Sequence, residues 1–301
     1  MILVVGAGPI GTILGSLEGA VIAARGKRLA FLKENGIVLD GKLPLRKKVS
    51  VVSDASELNG KADFILICTK SQDTERAITQ WKSAVGEKTL VVSVSNGWGN
   101  EETLSKHLPK NQIVGGVTYI GVQMKEDGSV WVHGAGKTVI GGYFDSNLRS
   151  RLKPLKEKFE AVGLPCVISD DVKQDIAKKF LVNVGLNATG ALHRANNIEV
   201  GERPECRALA VSLMQEAIPV LEKEGVVVRE EFIEDFLAGL RALGPNKNSM
   251  WADLDKGRRT EIDFLNGAVV ELGRKHGIAT PLNEEIVKKI KALEFQARKD
   301  A

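Results

Sequence analysis

The segment KKFLVNVGLNATG places Lys179, Asn183 and Asn187 four residues apart. At about 100° per residue of helix these three fall within roughly 80° of one another, a single polar stripe. Phe180, Val182, Val184 and Leu186 flank it, so the stripe is predicted to be partly buried. A buried ammonium with two amides needs partners: it either packs against carboxylates or lines a polar pocket. A second set of residues opens the chain. In ILVVGAGPIG, Gly6, Gly8 and Gly11 stand in GxGxxG spacing directly after an apolar run and before a helical pattern, with Pro9 and Ile10 between the second and third glycines. The first glycine permits a tight turn, the second lets backbone approach a pyrophosphate, and the third lets helix pack on strand; the spacing predicts dinucleotide binding. An NAD site of this type ends its second strand in an acidic residue. Here that strand ends in Arg25, followed by Gly26, Lys27 and Arg28, with no acid before Glu34. Cations there suit a 2′-phosphate, so NADP is expected, with Arg25 as its guanidinium.

The elements that must carry these residues are readable. Apolar runs at Ile2 to Val5, Val21 to Ala24, Phe64 to Cys68, Thr89 to Val94 and Ile113 to Gln123 alternate with helical patterns, the signature of βαβ units around a parallel sheet. Runs such as FILIC show little polar alternation and suit strands covered on both faces. Short strands are expected at Val130 to Val132, Thr138 to Ile140 and within LPCVIS, with a helix from Ser146 to Ala161. After Asp170 the pattern is helical only, with helices near Asp171 to Asn187, Pro204 to Glu224 and Arg258 to Lys275. The expected fold is an α/β Rossmann-type N-terminal domain with a mostly parallel sheet, residues 1–169, followed by an all-α substrate and catalytic domain, residues 170–301.

Composition narrows the function classes. With 301 residues, 43% hydrophobic and 27% charged, the chain is ordinary globular material for two domains. Its 42 basic and 38 acidic residues are interspersed apart from Arg46, Lys47 and Lys48, read as a solvated face, so no nucleic-acid partner is expected. Met1 to Ala24 holds one charged residue, Glu18, yet lacks a basic n-region and is interrupted by Gly6, Gly8 and Pro9; neither an export signal nor a membrane span is predicted. Cys68, Cys166 and Cys206 are widely spaced and suit reduced thiols in a cytoplasmic protein, and the four histidines form no dyad or metal spacing. Taken singly, Lys70 either caps a strand end or, as its place in a loop after a parallel strand favours, binds a ligand; Asn96-Gly97 suits an ordinary turn pair as well as a site, Ser249 is a helix N-cap, and Glu261 is a surface carboxylate on the helix from Arg258.

Five motifs change that reading when taken together: GAGPIG, CTKSQDT around Lys70, SNGWG around Asn96, KFLVN with Asn187, and NSMWADLDKGRRTEID, in which Ser249 stands twelve residues before Glu261. Over nearly the whole chain they resemble the ketopantoate reductase (2-dehydropantoate 2-reductase) family. The resemblance implies NADPH-dependent reduction of the 2-oxo acid ketopantoate to pantoate, a step of pantothenate biosynthesis. It implies Lys179 as general acid and Glu261 as the carboxylate that holds substrate hydroxyl and lysine. Asn183, Asn187 and Ser249 would orient the substrate, and Lys70 and Asn96 would lie beside the nicotinamide half of the cofactor. The lysine's charge would make a metal unnecessary, and helical second domains of this kind often support a homodimer. Two features depart from the pattern. The first connecting helix is about one turn short, which could displace Arg25. Asn187-Ala188-Thr189-Gly190-Ala191 replaces the usual Asn-Pro-Leu-Thr-Ala, which leaves the exact 2-oxo acid open. The competing readings are a β-hydroxyacid dehydrogenase, a reductase of another 2-oxo acid, and a non-catalytic NADP-binding sensor. Retention of both Lys179 and Glu261 weighs against the sensor.

Overall fold

A computed structural model describes residues 1–229 and 231–299; the end of the second predicted domain, 300–301, and residue 230 lie outside the described residues. In chain order the first part comprises β1 (Ile2–Val5), α1 (Pro9–Leu14), β2 (Ala20–Ala23), α2 (Gly26–Asn35), β3 (Ile37–Gly41), β4 (Leu45–Lys47), β5 (Ser50–Val52), β6 (Phe64–Ile67), α3 (Thr74–Gln80), β7 (Leu90–Ser93), α4 (Asn100–Ser105), β8 (Ile113–Thr118), β9 (Gly121–Met124), β10 (Val130–Gly134), β11 (Thr138–Gly142), α5 (Arg149–Ala161) and β12 (Cys166–Ile168). The second part comprises α6 (Val172–His193), α7 (Asn197–Glu202), α8 (Pro204–Lys223), α9 (Glu231–Ala238), α10 (Ser249–Leu254), α11 (Asn266–His276) and α12 (Pro281–Lys299).

Eight strands form the main sheet in the order β12-β11-β8-β7-β6-β1-β2-β5. The six from β8 to β5 are parallel, with Val5 opposite both Ala23 and Ile67, and β11 runs antiparallel to β8. Alternating side chains explain the unbroken apolar runs. Ile2, Val4, Phe64 and Leu66 join one buried cluster, while Leu3, Val5, Ile65 and Ile67 join another that includes Ile78 and Trp81. Both faces are covered, so neither needs polar residues.

Three sequence expectations need correction here. Ile113 to Gln123 is not one strand: β8 is buried throughout, but the chain leaves the main sheet after Thr118, and β9 pairs antiparallel with β10 with its residues alternately exposed. Ile37 to Val52 passed unread, yet it supplies β5 and two strands of a separate four-stranded sheet, β4-β3-β10-β9. Of its basic residues Arg46 and Lys48 are exposed, as expected of a solvated face; Arg46 also pairs with Asp40 at 2.7 Å, and the half-buried Lys47 donates to the Ser16 carbonyl. The third correction concerns Glu261. No helix starts at Arg258: residues 258–260 are irregular, Glu261 precedes a 3₁₀ turn at Ile262–Phe264, and α11 begins at Asn266. The break is held at Leu265, whose φ of −108° and ψ of −102° is not helical.

The chain divides into two compact units, residues 1–95 with 100–175, and 96–99 with the residues from Ile176 onward. The division falls after Asp175, inside α6, and not at Ser169. A linear boundary also has no means of grouping 96–99 with the helical unit. That unit is built around Phe180, Leu181 and Val184 of α6, Leu213 and Met214 of α8, Val269 of α11 and Ile290 of α12, all buried.

Candidate active site

In the first unit, β1 delivers the glycine loop at its carboxyl end. A Cβ on Gly11 would lie 1.8 Å from the Gly6 carbonyl oxygen, so the loop closes on itself only with glycine there. Gly8 is the N-cap of α1 with nothing within 4 Å of its Cβ position, leaving room for a ligand's backbone approach, and Pro9 takes the first helical position with Ile10 behind it. The loop opens on a cavity of about 320 Å³ lined by Gly6, Gly8, Arg25, Ser53, Thr69 and Arg76, among others. Arg25 stands exposed at the N-cap of α2 on this wall, so the short α1, only six residues, does not carry it away.

Arg28 behaves otherwise. Its guanidinium donates to the Ala7 carbonyl at 3.0 Å, the Gly128 carbonyl at 2.5 Å and Thr12 Oγ1 at 2.7 Å, and so braces the glycine loop while lining the same cavity. The cavity's Asp73 is paired with Arg76 at 2.6 Å. Thr69, which the sequence reading did not single out, has a buried Oγ1 with no hydrogen-bond partner among the described residues. An orphaned hydroxyl beside a glycine cradle with open space at Gly8 fits a bound dinucleotide. Lys70 follows β6 and caps the 3₁₀ turn Ser71–Asp73, its carbonyl accepting from the Asp73 amide.

The helical unit gathers the other candidates. Asn183 and Asn187 of α6 are 9% and 5% exposed, with Phe180, Val184 and Leu186 buried around them, so the stripe lies within the unit. Lys179, half-buried on the same helix, has its ammonium pushed down to about 8 by burial, an effect that the negative charge of Glu261 opposes. Glu261 is 8% exposed, not a surface carboxylate, and receives Asn96 Nδ2 at 3.4 Å. Asn96 arrives on residues 96–99, which dock on the 3₁₀ turn. Gly97 has φ of +91°, a Cβ there would meet the Phe264 carbonyl oxygen at 2.5 Å, and the Trp98 amide donates to that same oxygen at 3.0 Å. The Trp98 ring lies 5.7 Å from that of Phe180, beside Lys179 in sequence.

Ser249 is the first residue of α10 and exposed, not its cap. The cap is Asn248, whose Oδ1 accepts from the Trp251 amide while Nδ2 donates to the Leu186 carbonyl, next to Asn187. Packing accounts for the glycine of the altered motif on α6: a Cβ at Gly190 would lie 2.3 Å from Asn248 Nδ2 and 2.8 Å from the Ala195 carbonyl oxygen. Asn266 is a further residue missed in the sequence. It is fully buried and donates to the Val184 carbonyl and to Asn283 Oδ1, tying α11 and α12 to the middle of α6. Apolar spacing marks none of these amides.

A basic side chain made easier to deprotonate by burial, a buried carboxylate whose charge acts on it and the Asn96 amide on that carboxylate form a group suited to proton transfer and to holding a polar substrate. Together with a glycine-loop cradle, they define a dinucleotide-binding oxidoreductase scaffold. Residues 2–144 match the family "Ketopantoate reductase PanE/ApbA" and residues 171–294 match "Ketopantoate reductase PanE/ApbA C terminal". The chain belongs to the ketopantoate reductase family. It is 30% identical to a 2-dehydropantoate 2-reductase of Pyrococcus horikoshii, covering 97% of each chain. It is 32% identical to one of Halobacterium salinarum, covering 89% of this chain and 92% of that one. Among solved structures, a ternary complex of D-mandelate dehydrogenase with NADH and anilino(oxo)acetate superposes with a TM-score of 0.91 at 25% identity, covering 99% of both chains. No described helix is long and apolar enough to cross a membrane, the three cysteines are unpaired, and no cluster of metal-ligating side chains occurs among the described residues.

Proposed function

We propose that this protein is an NADPH-dependent reductase of a 2-oxo acid, converting 2-dehydropantoate to pantoate in pantothenate biosynthesis, in the cytoplasm. The observation that carries the reading is the half-buried Lys179, pushed down to about 8 and facing the charge of a buried Glu261, in a chain of this family. The glycine cradle would hold the dinucleotide, whose chemistry would be hydride donation to C2 of the substrate. That donation would leave negative charge on the C2 oxygen. The Lys179 ammonium stabilises that charge and donates its proton there, completing the alcohol. Glu261 keeps Lys179 protonated and accepts a hydrogen bond from the substrate hydroxyl, while Asn183, Asn187, Asn96 and Ser249 hold the carboxylate end and fix the carbonyl face. Gly6, Gly8, Pro9, Ile10 and Gly11 receive the pyrophosphate, Lys70 the nicotinamide half, and Arg25 the 2′-phosphate.

A second reading is favoured by one finding, the likeness to D-mandelate dehydrogenase with NADH. On it, the same lysine chemistry serves an aromatic 2-oxo acid with NADH as reductant. Both readings are tested by following oxidation of NADPH and of NADH with 2-dehydropantoate beside aliphatic and aromatic 2-oxo acids. The first reading expects the highest kcat/KM with NADPH and 2-dehydropantoate. Preference for NADH with an aromatic acid selects the second, and absence of turnover with every acid rejects both.

A further inference from the structure

Glu261 stands on no regular element. Its neighbours in sequence are gripped from α12, by two side chains three residues apart and therefore on one helix face. Toward the N-terminal side, the Oε1 of Glu294 accepts from the Thr260 amide at 2.7 Å and from Thr260 Oγ1 at 2.5 Å. That hydroxyl also accepts from the Ile262 amide at 3.2 Å, so one carboxylate oxygen is linked to the backbone on both sides of Glu261. Toward the C-terminal side, Lys291 pairs with Asp263 at 2.5 Å, and Arg259 pairs with the same carboxylate at 2.9 Å. Thr260 is 1% and Glu294 8% exposed, whereas Lys291 is half exposed, so the Glu294 link is the desolvated and stronger one. Arg298, 4.0 Å from Oε2, is the cation facing Glu294.

A buried carboxylate is expensive to keep unless its hydrogen bonds repay the desolvation, and this one accepts two from Thr260. We propose that Glu294 is a positioning residue: by clamping Thr260 it fixes the backbone of Glu261 and thereby aims that carboxylate at Lys179. Glu294 touches no substrate in this scheme and acts only through Glu261; the proposal rests on the functional reading above.

The test uses the holoenzyme with NADPH and the 2-oxo acid it reduces best. In Glu294→Ala, kcat/KM for the acid falls by about tenfold, as misplacement of a reacting group does, while the NADPH dissociation constant is unchanged. The alkaline limb of the pH–rate profile moves to lower pH, because a displaced Glu261 no longer supports the protonated Lys179. Should Glu294→Ala not fold, Thr260→Val carries the same test: it removes the hydroxyl link alone, giving a smaller loss and a shift of the limb in the same direction, and Thr260→Ser restores both. Folded Glu294→Ala and Thr260→Val proteins with wild-type kcat/KM and an unmoved limb overturn the proposal. So does a loss of activity with the limb in place, since that is lost packing. Glu261→Gln is measured alongside. If it is impaired while the other variants are not, only the positioning role is lost; if it too is inert, the functional reading itself fails.

Discussion

The glycine cradle of the first unit and the lysine cluster of the second do their work by opposite means. The cradle is made from six consecutive residues, and what it offers is backbone: Gly6 and Gly11 in close contact, open space at Gly8, and Arg28 bracing the Ala7 carbonyl. The cluster is made from side chains scattered over most of the chain, Asn96, Lys179, Glu261 and the supporting Asn248, Asn266 and Glu294, each arriving on a different element. A backbone site tolerates changes of side chain and fails when a Cβ is added. A side-chain site fails when one functional group is removed, and degrades by degrees when its supports are altered.

The sharpest test of that contrast is Lys179→Ala. Turnover should fall by about 10² to 10⁴, the usual contribution of a positioned general acid, with NADPH binding unchanged, since the cradle shares no residue with it. Stopped-flow turnover beside a fluorescence titration checks both, and a variant with near-normal turnover would break the distinction. Arg25→Ala is the converse: it removes a side chain that lines the cavity beside the cradle and leaves the cradle's own backbone intact. It should raise the NADPH dissociation constant by about tenfold or more, the worth of a charge-assisted hydrogen bond, and leave NADH unaffected. Equal weakening of the two cofactors, measured by titration, removes Arg25 from the 2′-phosphate.

Glu261→Ala should lower kcat/KM for the oxo acid by about tenfold, equivalent to about 1.4 kcal/mol of transition-state binding, with the NADPH dissociation constant fixed. It also has a pH signature. Reduction needs protonated Lys179, so activity declines as pH rises through about 8, and loss of the Glu261 charge, which holds that value up, should move the decline to lower pH. A limb that stays in place would show the two groups to be uncoupled. The smallest effect on the reaction is expected at Gly190→Ala, which acts on stability instead. The added methyl meets Asn248 Nδ2, costing about 1 to 3 kcal/mol of stability by overpacking, readable as a lowered melting temperature with little change in NADPH affinity.

Much of the first unit was legible from residue order because its signals are local. Apolar runs of four residues gave the buried parallel strands, and GxGxxG spacing specified the turn between β1 and α1 whatever the rest of the chain does. The ribbon of β3 and β4 was not legible. Its residues alternate between buried and partly exposed, so no unbroken apolar run marks it, and its partner β10 lies some ninety residues further along the chain. Lys179, Asn183 and Asn187 could be placed on one stripe because a helix of known period carries all three, but periodicity says nothing of what faces the stripe.

Residue types and spacing were enough to determine the buried apolar strands, the glycine turn, the polar stripe and the family motifs, since each depends on neighbours within a few positions. Tertiary packing alone settled that Arg28 braces the glycine loop, and that Asn248 and not Ser249 caps α10. It also settled that residues 96–99 join the helical unit, and that Glu261 sits buried on a turn clasped by α12. Those outcomes turn on which hydrogen-bond partner arrives from a distant segment, and a polar side chain's own position in the chain carries no record of the partner it will meet.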